Sequence, residues 1–296
     1  MALARTSSVA LVGVTGQVVE IEVDIANGLV GMILVGLPDT ALREARDRIH
    51  AAIVNSGEKW PQRKITVGLS PASLPKRGSW FDLAIAVGLL AAAGTVPRAA
   101  SDGVMFFGEL GLDGRLRPVR GVLPAVAAAA EDGRFGTVMV AEQNAPEAAL
   151  VPGMRVIAAA SLTAATDWLR GTPGLRGDPP AAEYRPSGDG DGDGPAPSPD
   201  GAMTLDLAEL LGQSLARRAA EVSAAGGHHL SLLGPPGAGK TMLAERIPTI
   251  LPRLDPDAAL EVTAIHSVAG TLPPKVPLLT GPLLLPSLVG LEPSIV

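Results

Sequence analysis

The sequence predicts a mixed α/β chain in two domains joined by a linker, and three observations carry that reading. Over residues 1–170, segments of period two alternate with segments of helical period. Residues 171–202 are dominated by Pro, Gly and Asp and hold almost no apolar side chain to anchor a core. Residues 203–296 open with a helical pattern, followed by Gly234-Pro235-Pro236-Gly237-Ala238-Gly239-Lys240-Thr241. That stretch fits G-x-x-x-x-G-K-[ST], the phosphate-binding P-loop.

Composition limits the classes open to the chain. Of 296 residues, 47% are hydrophobic but only 3% aromatic, with 35 Gly and 27 Pro, so any core is aliphatic. A net charge of −6 supplies no global basic field for nucleic acid, although a local basic patch stays open. Without cysteine there are no disulfides and no thiolate metal sites, which fits a cytoplasmic protein. Ala2 to Val14 lacks the continuous apolar region of a signal peptide. No apolar run approaches the ~20 residues that span a bilayer, so no membrane partner is expected. Leu83 to Gly94 reads instead as a buried helix.

Taken in order, Ser8 to Val14 reads as a first strand. Val19, Ile21, Val23 and Ile25 alternate with Val18, Glu20, Glu22 and Asp24, which predicts a strand with one buried face. Leu29 to Val35 reads as a third strand. Asp39 or Thr40 can cap a helix whose apolar stripe is Leu42, Ala45, Ile49, Ala52 and Ile53, and Ser56-Gly57 closes it. A strand at Lys64 to Leu69, a helix at Phe81 to Ala93 and a strand at Val104 to Phe107 follow, then a tight turn at Leu112 to Arg115. Next come a helix at Val122 to Glu131, a strand at Thr137 to Val140 and a helix at Glu142 to Leu150. A strand at Arg155 to Ile157 and a helix at Leu162 to Leu169 complete the first domain.

In the linker, Asp189-Gly190-Asp191-Gly192-Asp193-Gly194 with Asp200 resembles the start of a calcium loop. Pro195, Pro197 and Pro199 interrupt it and no Glu closes it, so it reads as a solvated, disordered run. Leu205 to Ala224 then has helical spacing, with Arg217 and Arg218 as solvent-facing charges. His228 and His229 alternate faces and read as structural. His229 to Leu233 predicts a short buried strand, and Lys240 to Ile247 a helix that Pro248 ends. Between them Gly237 and Gly239 let the backbone turn its N–H groups toward phosphate oxygens. Lys240 then reaches the β- and γ-phosphates of ATP, and the Thr241 hydroxyl sits on Mg²⁺.

Together these features resemble the magnesium-chelatase-like AAA+ ATPases of the bacterial ComM/YifB family. The segments that carry the resemblance include Ala2-Leu3-Ala4-Arg5-Thr6 and Val35-Gly36-Leu37-Pro38-Asp39-Thr40-Ala41. Two others are Leu69-Ser70-Pro71-Ala72-Ser73-Leu74-Pro75-Lys76-Arg77-Gly78 and Gly108-Glu109-Leu110-Gly111-Leu112-Asp113-Gly114. The resemblance implies a Lon-protease-like mixed α/β domain over 1–170, a disordered linker over 171–202, and the start of a P-loop AAA+ domain over 203–296. It also implies that the protease site is degenerate. Trp80 stands at the serine position, with Ser79 one place early, and Leu123 stands at the lysine position. The ComM/YifB pattern has Gly at residue 80, so Trp80 is expected to strain the turn.

The implied activity is ATP hydrolysis driving DNA branch migration in transformation and recombination, by a homo-hexamer acting on branched or single-stranded DNA. A metal-chelatase ATPase subunit and a non-hydrolysing remnant are the alternatives. Only residues 242–296 follow the loop, whereas a complete AAA+ module takes roughly 200 residues. The sequence therefore reads as truncated after the Walker A region. No catalytic acid, sensor or arginine finger is assignable; Leu260-Glu261 is the nearest candidate for the acid. The pattern holds through Ser267 to Gly270, and Leu278 to Val296 is an unpatterned Leu/Pro tail.

Overall fold

In the computed structural model the alternating segment forms β2 (Thr15–Ala26), and its buried face is Val19, Ile21, Val23 and Ile25. The structure describes residues 2–36, 40–76, 78–172, 181–184, 206–252 and 254–272. They divide into two units, one of residues up to 184 together with 264–272, the other of residues 206–263.

In the first unit, β1 (Ala2–Val12) turns back on β2 through Gly13, and the two pair antiparallel along their full length. β3 (Gly31–Val35) and β4 (Lys64–Ser70) flank α1 (Thr40–Asn55). Ile21, Val23 and Ile25 lie opposite Leu69, Val67 and Ile65, so one face of the sheet is a continuous aliphatic layer. α2 (Asp82–Ala92) lies on this layer with all 11 residues buried, as expected of a helix apolar all round. A Cβ added to Gly88 would come within 3.0 Å of Val23 Cγ2 and 3.1 Å of Thr6 Oγ1. The glycine therefore lets the helix backbone approach the sheet, where Thr6 Oγ1 donates to the Ala84 carbonyl at 2.8 Å.

β5 (Val104–Phe106) is followed by a small hairpin of β6 (Glu109–Leu110) and β7 (Leu116–Arg117). Then come α3 (Val122–Asp132), β8 (Thr137–Ala141), α4 (Ala145–Ala148), β9 (Arg155–Ala159) and α5 (Leu162–Leu169). β10 (Ala182–Glu183) pairs antiparallel with β9. The sheet is eight-stranded, in the order β10-β9-β8-β5-β1-β2-β4-β3, and mixed in direction. β1 joins its halves: it pairs with β5 at the single register position Ser7↔Met105, where Ser8 Oγ also donates to the Phe106 carbonyl at 2.9 Å.

The second unit holds α6 (Ser214–Gly226), α7 (Lys240–Ala244) and the N-terminal part of α8 (Pro256–Ala269). Its core is Leu207, Leu210, Ala220, Leu243 and Ile247, with Leu230, Leu232, Ile250 and Leu251 packed against it.

Several expectations need correction. The first strand begins at Ala2 and ends at Val12. The helix expected over Glu142–Leu150 is a 3-10 turn, Glu142–Asn144, then one turn of α4 with Pro146 near its start. The helix expected over Leu205–Ala224 is also split. Leu207–Glu209 is a 3-10 turn, and Gly212 and Gln213, both at positive φ, interrupt the chain before α6. No strand forms over His229–Leu233 among the described residues. α7 ends at Ala244, ahead of a 3-10 turn at Ile247–Ile250. Within the expected linker, Ala182 and Glu183 are ordered into the sheet as β10. Trp80 is not in the left-handed region; among described non-glycine residues only Gln213 is. The Asp39 cap, the Asp189–Asp200 loop and the Leu278–Val296 tail lie outside the described residues.

Candidate functional site

The loop Gly234–Thr241 runs from the Leu230–Leu232 segment into α7. Leu230 and Leu232 pack on the cluster of the second unit from one end, and Leu243 is buried in it from the other. The loop is thus fixed at both ends, with residues 234–237 and Thr241 exposed between them. Gly237 and Gly239 have φ of 78° and 79°, values that glycine reaches without strain. Ala238 N–H donates to the Pro235 carbonyl at 3.3 Å, and Leu243 N–H to the Gly239 carbonyl at 3.0 Å. Nothing lies within 4 Å of a Cβ added to Gly237, so that position opens onto free space.

Lys240 folds back over the loop. Its Nζ donates to the Gly234 carbonyl at 2.7 Å and the Pro235 carbonyl at 2.8 Å. The ammonium is therefore held at the mouth of the loop by exposed acceptors that water can replace. The donor set fits a phosphate-bearing ligand: an ammonium, an exposed Thr241 hydroxyl, and two glycines where the backbone turns.

Sequence reasoning missed Gln213. Its φ of 47° places the side-chain amide on the loop, where Nε2 donates to the Ala238 carbonyl at 2.6 Å. A Cβ on Gly239 would sit 3.0 Å from that nitrogen, a tight contact that the Gln213 side chain would have to give way to, so it is the φ of 79° that favours glycine here. The available signal was Gly212 directly before Gln213, a break inside an otherwise helical pattern.

The other predicted residues are placed as follows. Arg217 donates to the Leu210 carbonyl at 3.2 Å, and Arg218 pairs with Glu221 at 3.0 Å on the exposed face of α6. Glu261 is exposed on α8, a helix rather than a strand. His228 and His229 are exposed, and no group of three His, Cys, Asp or Glu among the described residues could hold a metal ion.

The positions that the protease-like resemblance implied lie in the first unit. Trp80 is buried, edge-on to Phe81 and tilted against Phe107, and its Nε1 has no partner among the described residues. Ser79 donates to Glu109. Leu123 is buried, and its amide N–H donates to Glu147 at 2.9 Å. Burial pushes the Glu147 carboxyl upward, against opposing hydrogen bonds from Ser267 and the Leu123 amide. Lys76 is fully buried; it donates to the Pro71 carbonyl, and desolvation lowers its pKa. Asp82 is buried against Arg48, with contacts of 2.9 and 3.2 Å, and accepts from Leu110 N–H at 3.3 Å. Desolvation raises its pKa to about 6 despite Arg48. An open polar cleft of about 650 Å³ in the same unit is lined by Asn55, Ser56, Arg115, Glu142, Ser161 and Thr163 among others, and by none of the predicted site residues.

Fold and loop together define a mixed α/β protein carrying a P-loop sequence. Residues 21–144 match the family described as subunit ChlI of Mg-chelatase, and residues 206–287 match the family described as magnesium chelatase, subunit ChlI. An uncharacterized protein of Mycobacterium tuberculosis, Rv2897c, is 50% identical over 282 residues, covering 95% of this chain and 53% of the relative. Competence protein ComM of Haemophilus influenzae is 41% identical over 268 residues, covering 90% of this chain and 50% of the relative. The uncharacterized protein YifB of Escherichia coli is 40% identical over 269 residues, with the same coverage. The chain belongs to the magnesium-chelatase-like family that includes ComM and YifB. It spans about half the length of the curated relatives it matches. Among the described residues no helix is long and apolar enough to cross a membrane.

Proposed function

We propose that the chain is the nucleotide-binding part of a cytoplasmic AAA+ ATPase that acts on branched or single-stranded DNA as a homo-hexamer. The observation that supports this reading best is the loop itself, with Lys240 and Thr241 at the mouth of a backbone turn built on Gly237 and Gly239. Gly234 to Gly239 would cradle the phosphates of ATP, Lys240 would pair with them, and Thr241 would hold Mg²⁺. Bound Mg²⁺-ATP supplies the phosphoryl group for hydrolysis. Gln213, by donating to the Ala238 carbonyl, would hold that part of the loop in place. Residues 1–170 serve as a protease-like scaffold without a nucleophile–base pair, and residues 203–296 carry nucleotide.

The description of the matching families favours a second reading, an ATPase subunit of a metal chelatase. A third is nucleotide binding without turnover, which the helical setting of Glu261 favours. The test is to titrate the chain with a fluorescent ATP analogue, with and without Mg²⁺, then with a four-way DNA junction. Saturable, Mg²⁺-dependent nucleotide binding and tighter binding to the junction than to linear duplex are expected. No nucleotide binding overturns the reading. Nucleotide binding without any junction preference removes the DNA role and leaves the chelatase and non-hydrolysing readings.

A further inference from the structure

We propose that the outer edge of β3 pairs antiparallel with β3 of a second copy of this chain, about a two-fold axis through Ile33. This inference does not depend on the nucleotide reading.

β3 is the last strand of the sheet, with no described strand beyond it. Natural edge strands are guarded by charges, prolines or bulges. Here Asn27-Gly28-Leu29-Val30-Gly31-Met32-Ile33-Leu34-Val35-Gly36 contains neither charge nor proline. The edge also exposes Leu29 at 93%, Val30 at 59%, Ile33 at 51% and Val35 at 52%. A two-fold axis brings each residue near its own copy, so charges close to the axis would repel. An uncharged run of this length is what self-pairing requires.

The backbone requires the axis to pass through a residue rather than between two. Gly31 N–H donates inward, to the Arg63 carbonyl beside β4. By strand alternation Gly31, Ile33 and Val35 turn their N–H and C=O groups toward β4, while Met32 and Leu34 turn theirs outward. In an antiparallel pair, outward groups must meet outward groups. Centring the axis on Ile33 sets Met32 opposite the second copy's Leu34, where both pairs can exchange hydrogen bonds. Ile33 then meets its own copy at a non-hydrogen-bonded position, where side chains approach most closely.

The side chains suit the same register. Ile33 and Val35 are exposed on the face opposite buried Met32. Val35 falls opposite Gly31 of the second copy, and nothing lies within 4 Å of a Cβ built on Gly31. The large side chain therefore meets an open glycine on both sides of the axis, with the two Ile33 side chains between. No other centre within the strand joins outward groups to outward groups while keeping these matches.

The chain has no native cysteine, which permits a direct test. Directly opposed residues at a non-hydrogen-bonded position have Cα atoms about 4.5 Å apart, inside the ~4.4–6.8 Å that a disulfide spans. Ile33→Cys in the full chain should form a disulfide dimer under mild oxidation, read on a non-reducing gel. Val12→Cys, at a position 62% exposed on β1, should form no disulfide dimer on the same gel. Light scattering without nucleotide or DNA, across a concentration series, should give the native chain twice its 30.1 kDa mass, as distinct from the hexamer proposed for the nucleotide-bound form. Ile33→Lys should halve that mass with an unchanged circular dichroism spectrum. Mixing Ile33→Lys with Ile33→Asp should restore it. A native chain that stays monomeric throughout overturns the proposal. So does a dimer that Ile33→Lys leaves intact, or an Ile33→Cys chain that cross-links no faster than Val12→Cys.

Discussion

Replacing Lys240 by Ala should weaken Mg²⁺-ATP binding by about 10–100-fold. In the structure the ammonium rests on two carbonyls, Gly234 and Pro235, both exposed. Deleting it leaves those oxygens to water, so folding stability should change by about 0.5 kcal/mol or less. Binding is different, because phosphate oxygens would lose a charge-assisted partner. A hydrogen bond to a charged group is worth about 1.5–3 kcal/mol net, and each 1.4 kcal/mol is about tenfold in dissociation constant. Lys240→Arg keeps the charge but replaces a point ammonium with a planar fork, so it should fall between wild type and Ala. The assay is a titration with a fluorescent ATP analogue in Mg²⁺, with thermal melts of all three proteins as the folding control. Equal affinity of wild type and Lys240→Ala at matched stability would refute the assignment of the loop.

The other predictions concern chemistry away from the loop. Asp82 holds its proton more tightly folded, at about pH 6, than unfolded, near pH 4. Its stabilising contribution is fullest below the lower value and falls as pH rises to the upper one. Urea melts at pH 4 and pH 7 should show wild type losing stability relative to Asp82→Asn, by something on the order of 2–3 kcal/mol. A relative gain would refute this. If residues 1–170 are the protease-like scaffold proposed above, with buried Trp80 and Leu123 at its nucleophile and base positions, the chain should cleave neither casein nor short peptides. Cleavage that disappears in Ser79→Ala would count against that. The chain's own rate of Mg²⁺-ATP hydrolysis is the baseline for testing Glu261, which is exposed on a helix. Glu261→Gln should leave that rate unchanged; a tenfold drop would make Glu261 a catalytic acid despite its helical setting.

Strong local periodicity made much of the first unit legible. The alternation of Val19 to Ile25 located β2 and its buried face, and Leu162 to Leu169 gave α5 residue for residue. The hairpin of β6 and β7 was not legible, because strands of two residues carry no period. β10 was hidden for the same reason, inside a polar run where Ala182 and Glu183 join the sheet through backbone pairing and an Arg155–Glu183 ion pair at 3.3 Å. α6 was read too long because Leu207, Leu210 and Leu211 continue its spacing, although Gly212 and Gln213 turn the backbone out of helix. At the candidate site, the motif identified the eight residues of the loop but not Gln213. Gln213 acts through a side-chain amide on a carbonyl, a long-range contact that leaves no local pattern.

The single register position between β1 and β5 has a consequence for how the chain emerges from a ribosome. Residues 2–70 alone complete β1, β2, β3 and β4, whereas β5, β8 and β9 come from residues 104–159. The first half-sheet can therefore assemble while the second is still being synthesised, leaving the free edge of β1 to wait for β5. Once docked, the halves are joined along the sheet by Ser7↔Met105, the Ser8 hydroxyl on the Phe106 carbonyl and the Ser101 hydroxyl on the Arg5 carbonyl at 3.2 Å, and beside it by α3 packed on β2 and the Arg134–Glu20 ion pair at 2.8 Å. Amide exchange should then divide along this seam. The β1–β2 ladder should be the last to exchange, and the β5–β8–β9 half should open earlier as a cooperative block.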